Sequence, residues 1–320
     1  MTQPEQDPRP ARAAGGARPL RAVLRETADR LRAAEVPSPE ADARALIEHV
    51  LATDTPLVLV REVDAGALAR LEPLVHRRER REPLQLILGA APFRRLELTV
   101  RPGVFVPRAE TELAVDLLLE HLGQRSAPTP GEMVRVVDLC TGSGALAAAV
   151  LDEIPQADVT AVDLSPEAVE LARENLDAVA PGRGRVLAGD VTDESLAQVL
   201  RSDGPVDAVL SNPPYVPPDA VPRDPEVALH DPPLALFGGG EDGLLVPSAV
   251  LALAAEILLP GGLVVIEHAD VHGPALRELA VRDGRLTAIR TQRDLTGRDR
   301  FLVARRAADT LRARGERLAP

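Results

Sequence analysis

The sequence holds a single cysteine, Cys140, in 320 residues. That excludes an internal disulfide and a cysteine-rich zinc site, and it fits a reducing cytoplasm. Aromatic residues are scarce at 2%, with one tyrosine, Tyr215, so platforms on which nucleic-acid bases could stack are few. Positive charge is in deficit: 37 Lys and Arg against 49 Asp and Glu give a formal net charge of −12. Direct binding to duplex DNA needs a concentrated basic surface and is not expected. No apolar run approaches the roughly 18 residues of a membrane span, so a soluble chain without a membrane partner is expected. The six histidines, His49, His76, His121, His230, His268 and His272, show no metal-ligand spacing, and no metal is assigned.

What is present suggests two domains. Residues 1–18 are polar, rich in Pro, Gly and Arg, and lack the apolar core of a signal peptide; they read as a disordered leader. Leu20, Val23, Leu24, Ala28 and Leu31 then recur at helical spacing. A second stripe, Ala43, Leu46, Ile47, Val50 and Leu51, follows Ser38 as expected N-cap and Pro39 at the first helical position. Asp64 is placed to cap a third helix carrying Leu68, Leu71 and Leu74. Residues 19–86 are therefore expected to form a small helical bundle. "HRRERREPL" at its end reads as a solvated, charged helix face, with contact to RNA or a protein partner as the alternative.

The period then changes to two. Leu96, Leu98 and Val100 alternate with Arg95, Glu97 and Thr99, and Pro102-Gly103 offers a turn before Val104 and Val106. Residues 87–110 thus read as a β-hairpin linker, and 111–320 as the second domain. From residue 134 strands and helices alternate. The polar residues closing four strands, Asp138, Asp163, Asp190 and Asn212, lie 25, 27 and 22 residues apart, the spacing of successive βα units in a parallel, doubly wound α/β sheet. Ligands bind beyond the carboxyl ends of such strands.

"DLCTGSGALAAAV" runs from a strand through a glycine loop into a helix, where a ligand can approach free backbone N–H groups. Asp163 is placed to accept from both ribose hydroxyls of a nucleoside, unless it only caps the following helix, a role Ser165 fits. Asp190 could accept from an adenine amino group, or be a plain loop carboxylate. The dinucleotide pattern would require glycine at Ala147, so a ligand joining adenosine to an amino acid, S-adenosylmethionine, is favoured. "SNPPYVP" then acquires a purpose. The Asn212 side-chain oxygen and the Pro213 carbonyl can hold the two N–H bonds of a planar NH2 group and stabilise charge developing on its nitrogen. Pro213 and Pro214 restrict the backbone, and Tyr215 supplies a ring to pack on the acceptor.

These segments, with "AVDLSPEAVELARENL", "VFVPRAETELAVD", "LLPGGLVVIEH" and "RDLTGRDRFLVAR", resemble the HemK/PrmC family of S-adenosylmethionine-dependent methyltransferases, which modify the glutamine of the Gly-Gly-Gln motif in class I peptide chain release factors. The resemblance covers residues 19 to about 306, in order. It implies a Rossmann-like class I methyltransferase fold: a mostly parallel doubly wound sheet with an antiparallel last strand, plus an N-terminal helical bundle that helps hold the release factor. It implies that Cys140, Thr141, Gly142, Ser143 and Gly144 line the methionine part of S-adenosylmethionine, Asp163 its ribose, and Asp190 with Val191 its adenine. It assigns the glutamine to Asn212, Pro213, Pro214 and Tyr215, with S-adenosylhomocysteine as product. Separately from the resemblance, a cytoplasmic location is expected from the single cysteine, and a monomer is expected. Cys140 stands where a glycine is frequent in the family, and Ala109 where a proline is.

Two other readings compete. An adenine N6 methyltransferase would grip an exocyclic nitrogen with the same loop; the acidity, the few aromatics and the missing target-recognition domain count against it. A binding protein that senses the cofactor without catalysis leaves the Asn212 to Tyr215 loop without a purpose.

Overall fold

Pro39 and Asp64 open the second and third α-helices of the described residues. The computed structural model describes residues 16–53, 55–124, 133–222 and 224–308. The expected leader falls outside the described residues over positions 1–15, as does most of the loop between 123 and 133. The chain divides into two compact units, Met1–Leu88 and Gly89–Pro320.

In the first unit, β1 (Arg18–Pro19) precedes α1 (Leu20–Ala33), α2 (Pro39–Leu51), β2 (Glu62–Val63), α3 (Ala65–Glu79) and α4 (Leu84–Leu88). Leu20, Val23, Ala28 and Leu31 of α1 pack with Ala43, Leu46, Ile47 and Val50 of α2 and Leu71 and Val75 of α3 in one apolar core. The helical period dictated those faces. A two-residue pairing, Arg18 with Val63 and Pro19 with Glu62, was not foreseen. Asp64 caps α3, accepting from the Ala67 N–H at 2.8 Å. Ser38 makes no side-chain cap: its backbone, at φ −128° and ψ 61°, departs from the extended conformation that aims a cap hydroxyl at the first turn. The charge run is also not simply a solvated face. Arg78 is buried with its Nε 2.7 Å from Asp42 Oδ2, and Glu79 accepts from Arg30 Nε at 2.8 Å.

The second unit opens with an antiparallel hairpin, β3 (Ala90–Phe93) and β4 (Leu96–Thr99). Its turn is Arg94-Arg95, not Pro102-Gly103, and Val104 and Val106 are buried without forming a strand. The reason is tertiary. Arg94 takes a left-handed φ of 54°, donates its N–H to Glu112 Oε1 at 2.9 Å, and sets its guanidinium between Asp116 and Glu153, each 2.9 Å away.

The remaining elements are α5 (Leu113–Gly123), β5 (Val134–Leu139), α6 (Ala145–Glu153), β6 (Ala157–Asp163), α7 (Pro166–Val179), β7 (Gly184–Ala188), α8 (Ser195–Ser202), β8 (Val206–Ser211), α9 (Pro225–His230), α10 (Pro233–Leu236), α11 (Leu245–Ile257), β9 (Leu258–Glu267), α12 (Gly273–Asp283), β10 (Leu286–Arg293) and β11 (Asp299–Arg306). They build a seven-stranded sheet ordered β10-β11-β9-β8-β5-β6-β7. The five strands from β9 to β7 run parallel, and β11 pairs antiparallel with both β9 and β10. Alternate residues serve opposite faces. Val136, Ala161, Leu210 and Val265 pack on one side with α5, α6 and α7, while Val137, Val162, Val209 and Val264 pack on the other with α8, α11 and α12. Among the described residues no helix is long and apolar enough to cross a membrane.

One buried carboxamide ties the hairpin to this sandwich. Asn175 of α7 donates to the Thr99 carbonyl at 3.0 Å and the Ser143 carbonyl at 2.8 Å, and accepts from the Thr99 N–H at 2.9 Å. Removing it strands backbone groups that water reaches poorly. Asn175→Ala is expected to lower unfolding stability by about 3 kcal/mol, measured by urea denaturation; a loss below about 1 kcal/mol would mean that these bonds are readily replaced.

Candidate active site

The register of β5 decides what stands together. Leu139 pairs with Val162 of β6 on one side and with Ser211 of β8 on the other, and the Ser211 hydroxyl donates to the Leu139 carbonyl at 2.7 Å. The next residues, Cys140, Asp163 and Asn212, therefore leave the sheet side by side. They open onto a cavity of about 600 Å³ that Thr141, Gly142, Ser143, Asp190, Val191, Pro213, Pro214 and Tyr215 also line. Of the residues singled out in the sequence, Gly144 does not line it. An added Cβ there would lie 2.8 Å from Leu176 Cδ1 and 3.1 Å from Ala172 Cα, so Gly144 permits close packing of α6 on α7.

The glycine loop is held from beneath by two carboxylates. Asp138, the penultimate residue of β5, accepts from the Thr141 hydroxyl at 2.6 Å and the Ala147 N–H at 3.2 Å, both on Oδ2. Its Oδ1 is buried without a hydrogen-bond partner, and burial pushes its pKa up to about 7. Asp163 accepts from the Gly142 N–H at 2.8 Å on one oxygen and the Ser165 N–H at 2.9 Å on the other. Burial raises its pKa too. Ser165 caps α7 through the Ala168 N–H, so Asp163 is not needed for that task. Gly142 has φ 55° and nothing within 4 Å of an added Cβ, which leaves room for a ligand against the backbone. Cys140, at φ 58°, occupies the same left-handed region at a strain of about 1 to 2 kcal/mol. That explains why glycine suits this position. Its thiol is driven upward in pKa by burial and the neighbouring Asp163 and Asp138, which disfavours the nucleophilic thiolate. Asp190 stands two residues beyond the end of β7 and accepts from both the N–H and the hydroxyl of Thr192 on Oδ1.

The acceptor loop after β8 is fixed by its backbone. The N–H groups of Tyr215 and Val216 both donate to the Leu236 carbonyl, at 3.1 and 2.8 Å, and the Gly238 N–H donates back to Val216 at 3.0 Å. The glycine segment beneath allows no side chain: a Cβ on Gly238 would come 1.9 Å from the Gly243 carbonyl oxygen, and one on Gly243 would come 2.5 Å from that of Tyr215. Asn212 Nδ2 donates to Thr111 Oγ1 at 3.2 Å, and the Thr111 hydroxyl donates to Glu267 Oε2 at 2.7 Å. The Tyr215 hydroxyl reaches Glu267 Oε1 at 3.4 Å. Burial raises the Tyr215 pKa and pushes Glu267 up to about 7.

Sequence reasoning gave no role to Thr111, Glu267, Arg108 or Asp231. Arg108 Nη2 lies 2.7 Å from the buried Asp231 Oδ2, and its guanidinium sits 5.0 Å over the Phe105 ring at the cavity wall. The signals were present as short polar interruptions, "PRAETE" before α5 and the Glu267 that ends the apolar β9.

Residues 22–89 match the PrmC N-terminal domain and residues 95–229 the methyltransferase small domain. The release factor glutamine methyltransferase of Mycolicibacterium smegmatis is 44% identical over 290 residues, spanning 90% of this chain and 98% of its own. That of Deinococcus radiodurans is 42% identical over 90% of this chain and 99% of its own, and that of Bifidobacterium longum 40% identical over 88% and 98%. With identity of this level along nearly the whole length of each relative, the chain belongs to the release factor glutamine methyltransferase family.

Proposed function

We propose that the protein transfers a methyl group from S-adenosylmethionine to the side-chain amide nitrogen of the glutamine in the Gly-Gly-Gln motif of class I peptide chain release factors, leaving S-adenosylhomocysteine. The observation that carries this reading is that one cavity joins a nucleoside-type acceptor set to a rigid amide-gripping loop. A single cysteine and a translation factor as substrate fit the cytoplasm, and the working form is read as a monomer.

The residues present suit the cofactor. Asp163 keeps a further lone pair on each oxygen for two ribose hydroxyls; Asp190 and Val191, which line the same cavity, would take the adenine, and Cys140, Thr141, Gly142 and Ser143 the methionine part. The unpartnered Asp138 Oδ1 in the same wall marks a place for a donor such as the methionine ammonium. Gly144, assigned to the same loop by the resemblance, also seats that loop on α7. When bound, S-adenosylmethionine supplies an electrophilic methyl carbon.

The protein's task is then positional. An amide nitrogen is a poor nucleophile because its lone pair is delocalised into the carbonyl. Asn212 Oδ1 and the Pro213 carbonyl accept its two N–H bonds, which aims the nitrogen's face and stabilises positive charge as it develops. Pro214 keeps the two acceptors at a fixed separation, and the Tyr215 ring packs on the flat amide. The first unit, Met1–Leu88, supplies a second contact for the release factor away from the tripeptide, since three residues alone give little selectivity.

Incubation with labelled S-adenosylmethionine and either a release factor or DNA tests the reading; label only in DNA would replace it with the adenine N6 alternative. Asp163→Ala is expected to weaken cofactor binding by about 1.5 to 3 kcal/mol in titration calorimetry, and unchanged affinity would move the ribose elsewhere. Asn212→Ala should keep cofactor affinity within a few-fold yet lower turnover by about a hundredfold or more. A protein beginning at Ala90 should, if a thermal melt shows it folded, still bind cofactor and lose more activity on intact release factor than on a Gly-Gly-Gln peptide. Equal losses on both would assign the first unit to support of catalysis, not to partner recognition.

A further inference from the structure

Asparagine 212 can serve as an acceptor only if its carboxamide is turned the right way. A primary amide is nearly symmetric in shape, and a half-turn about its terminal torsion exchanges an acceptor for a donor. A donor facing the substrate NH2 would repel it. Something must therefore distinguish the two ends of the Asn212 side chain.

The distinguishing group lies behind the loop. Thr111 Oγ1 stands 3.2 Å from Asn212 Nδ2 and 2.7 Å from Glu267 Oε2, and both Thr111 and Glu267 are buried. A carboxylate has no proton to give, so the Thr111 hydroxyl must donate to Glu267 and present only lone pairs to Asn212. Only an N–H can face those lone pairs. We propose that Thr111 and Glu267 are positioning residues, a two-step relay that locks the Asn212 carboxamide with Nδ2 on Thr111 and leaves Oδ1 as the acceptor for the substrate nitrogen. This inference rests on the proposed methyl transfer for its kinetic test, but the orientation itself does not.

The relay depends on the charge of Glu267. Once protonated, its carboxyl can donate to Thr111, whose own proton is then released to point at Asn212; the preference for Nδ2 at that place is lost. The groups that face Glu267 are Thr111 and Glu110 from the turn preceding α5, Tyr215 from the acceptor loop and Arg300 from β11. Burial outweighs Arg300 and the two hydroxyls and moves its titration up to about 7. Turnover should therefore rise with pH through the neutral range, as the relay becomes polarised.

Four proteins test the relay: wild type, Glu267→Gln, Thr111→Val and Thr111→Ser. Glu267→Gln and Thr111→Val keep shape and are expected to lower kcat roughly ten- to a hundredfold with KM for release factor changed less than about threefold, and Glu267→Gln to abolish the acid limb. Thr111→Ser keeps the hydroxyl and should retain most of kcat. Cofactor binding by calorimetry should match wild type in all three variants. An activity-free readout accompanies these: the Asn212 side-chain NH2 resonances should shift with pH in step with the Glu267 carboxyl in wild type and Thr111→Ser, and not in Thr111→Val. Normal kcat in Glu267→Gln, equal impairment of Thr111→Ser and Thr111→Val, lost cofactor binding, or NH2 resonances indifferent to Glu267 would each overturn the relay. Absence of methyl transfer by the wild type would instead overturn the proposed function, and the resonance titration would then decide the relay alone.

Discussion

Everything in the cavity depends on the two parallel pairings of β5. With β6 on one side and β8 on the other, three chain segments leave the sheet at the same level, one bearing the glycine loop, one Asp163 and one Asn212. A slip of one residue in either pairing would turn alternate side chains to the opposite face of the sheet. It would set Val162 or Ser211 against the wrong layer of helices. The apolar alternation that fills both layers therefore also fixes the site. Packing supplies the precision, and the polar residues at the strand ends inherit it.

That coupling explains why so much was legible in the sequence. Strands of Val, Ala and Leu ended by Asp163 or Asn212 announce both the element and its edge, because an apolar run buried on two faces can end only where solvent or a ligand begins. The family-like segments added roles to positions already marked by spacing. The hairpin was less legible. Pro102-Gly103 carries stronger local turn chemistry than Arg94-Arg95, yet the turn forms at Arg94, where Glu112, Asp116 and Glu153 hold an otherwise unfavourable backbone. Local propensity yielded to an ion-pair cluster that only the folded chain assembles. Ser38 failed as a cap in the same way, through backbone geometry that no residue type reveals.

The polar groups behind the acceptor loop were the least legible. Thr111 and Glu267 are 156 positions apart in the chain, and each looks alone like a residue ending a helix turn or a strand. Their meaning arises from the direction in which protons can be donated, a property of the assembled chain of hydrogen bonds and not of any member. Asn175 belongs to the same class. One carboxamide joins Thr99 and Ser143 across the hairpin and the glycine loop, and nothing in the α7 sequence separates it from a surface asparagine.

The glycine segment beneath the acceptor loop carries a consequence for inheritance and for design. Gly238 and Gly243 touch the backbone of each other and of Pro214 and Tyr215 so closely that neither can take on a methyl group without moving the loop. The two stretches are written some 25 residues apart but behave as a single mechanical part. Drift in one is penalised by the other, so they must change together or not at all. Transplanting the Asn-Pro-Pro-Tyr tetrapeptide into another scaffold would carry over its chemistry without its aim; the portable module is the loop together with its glycine bed.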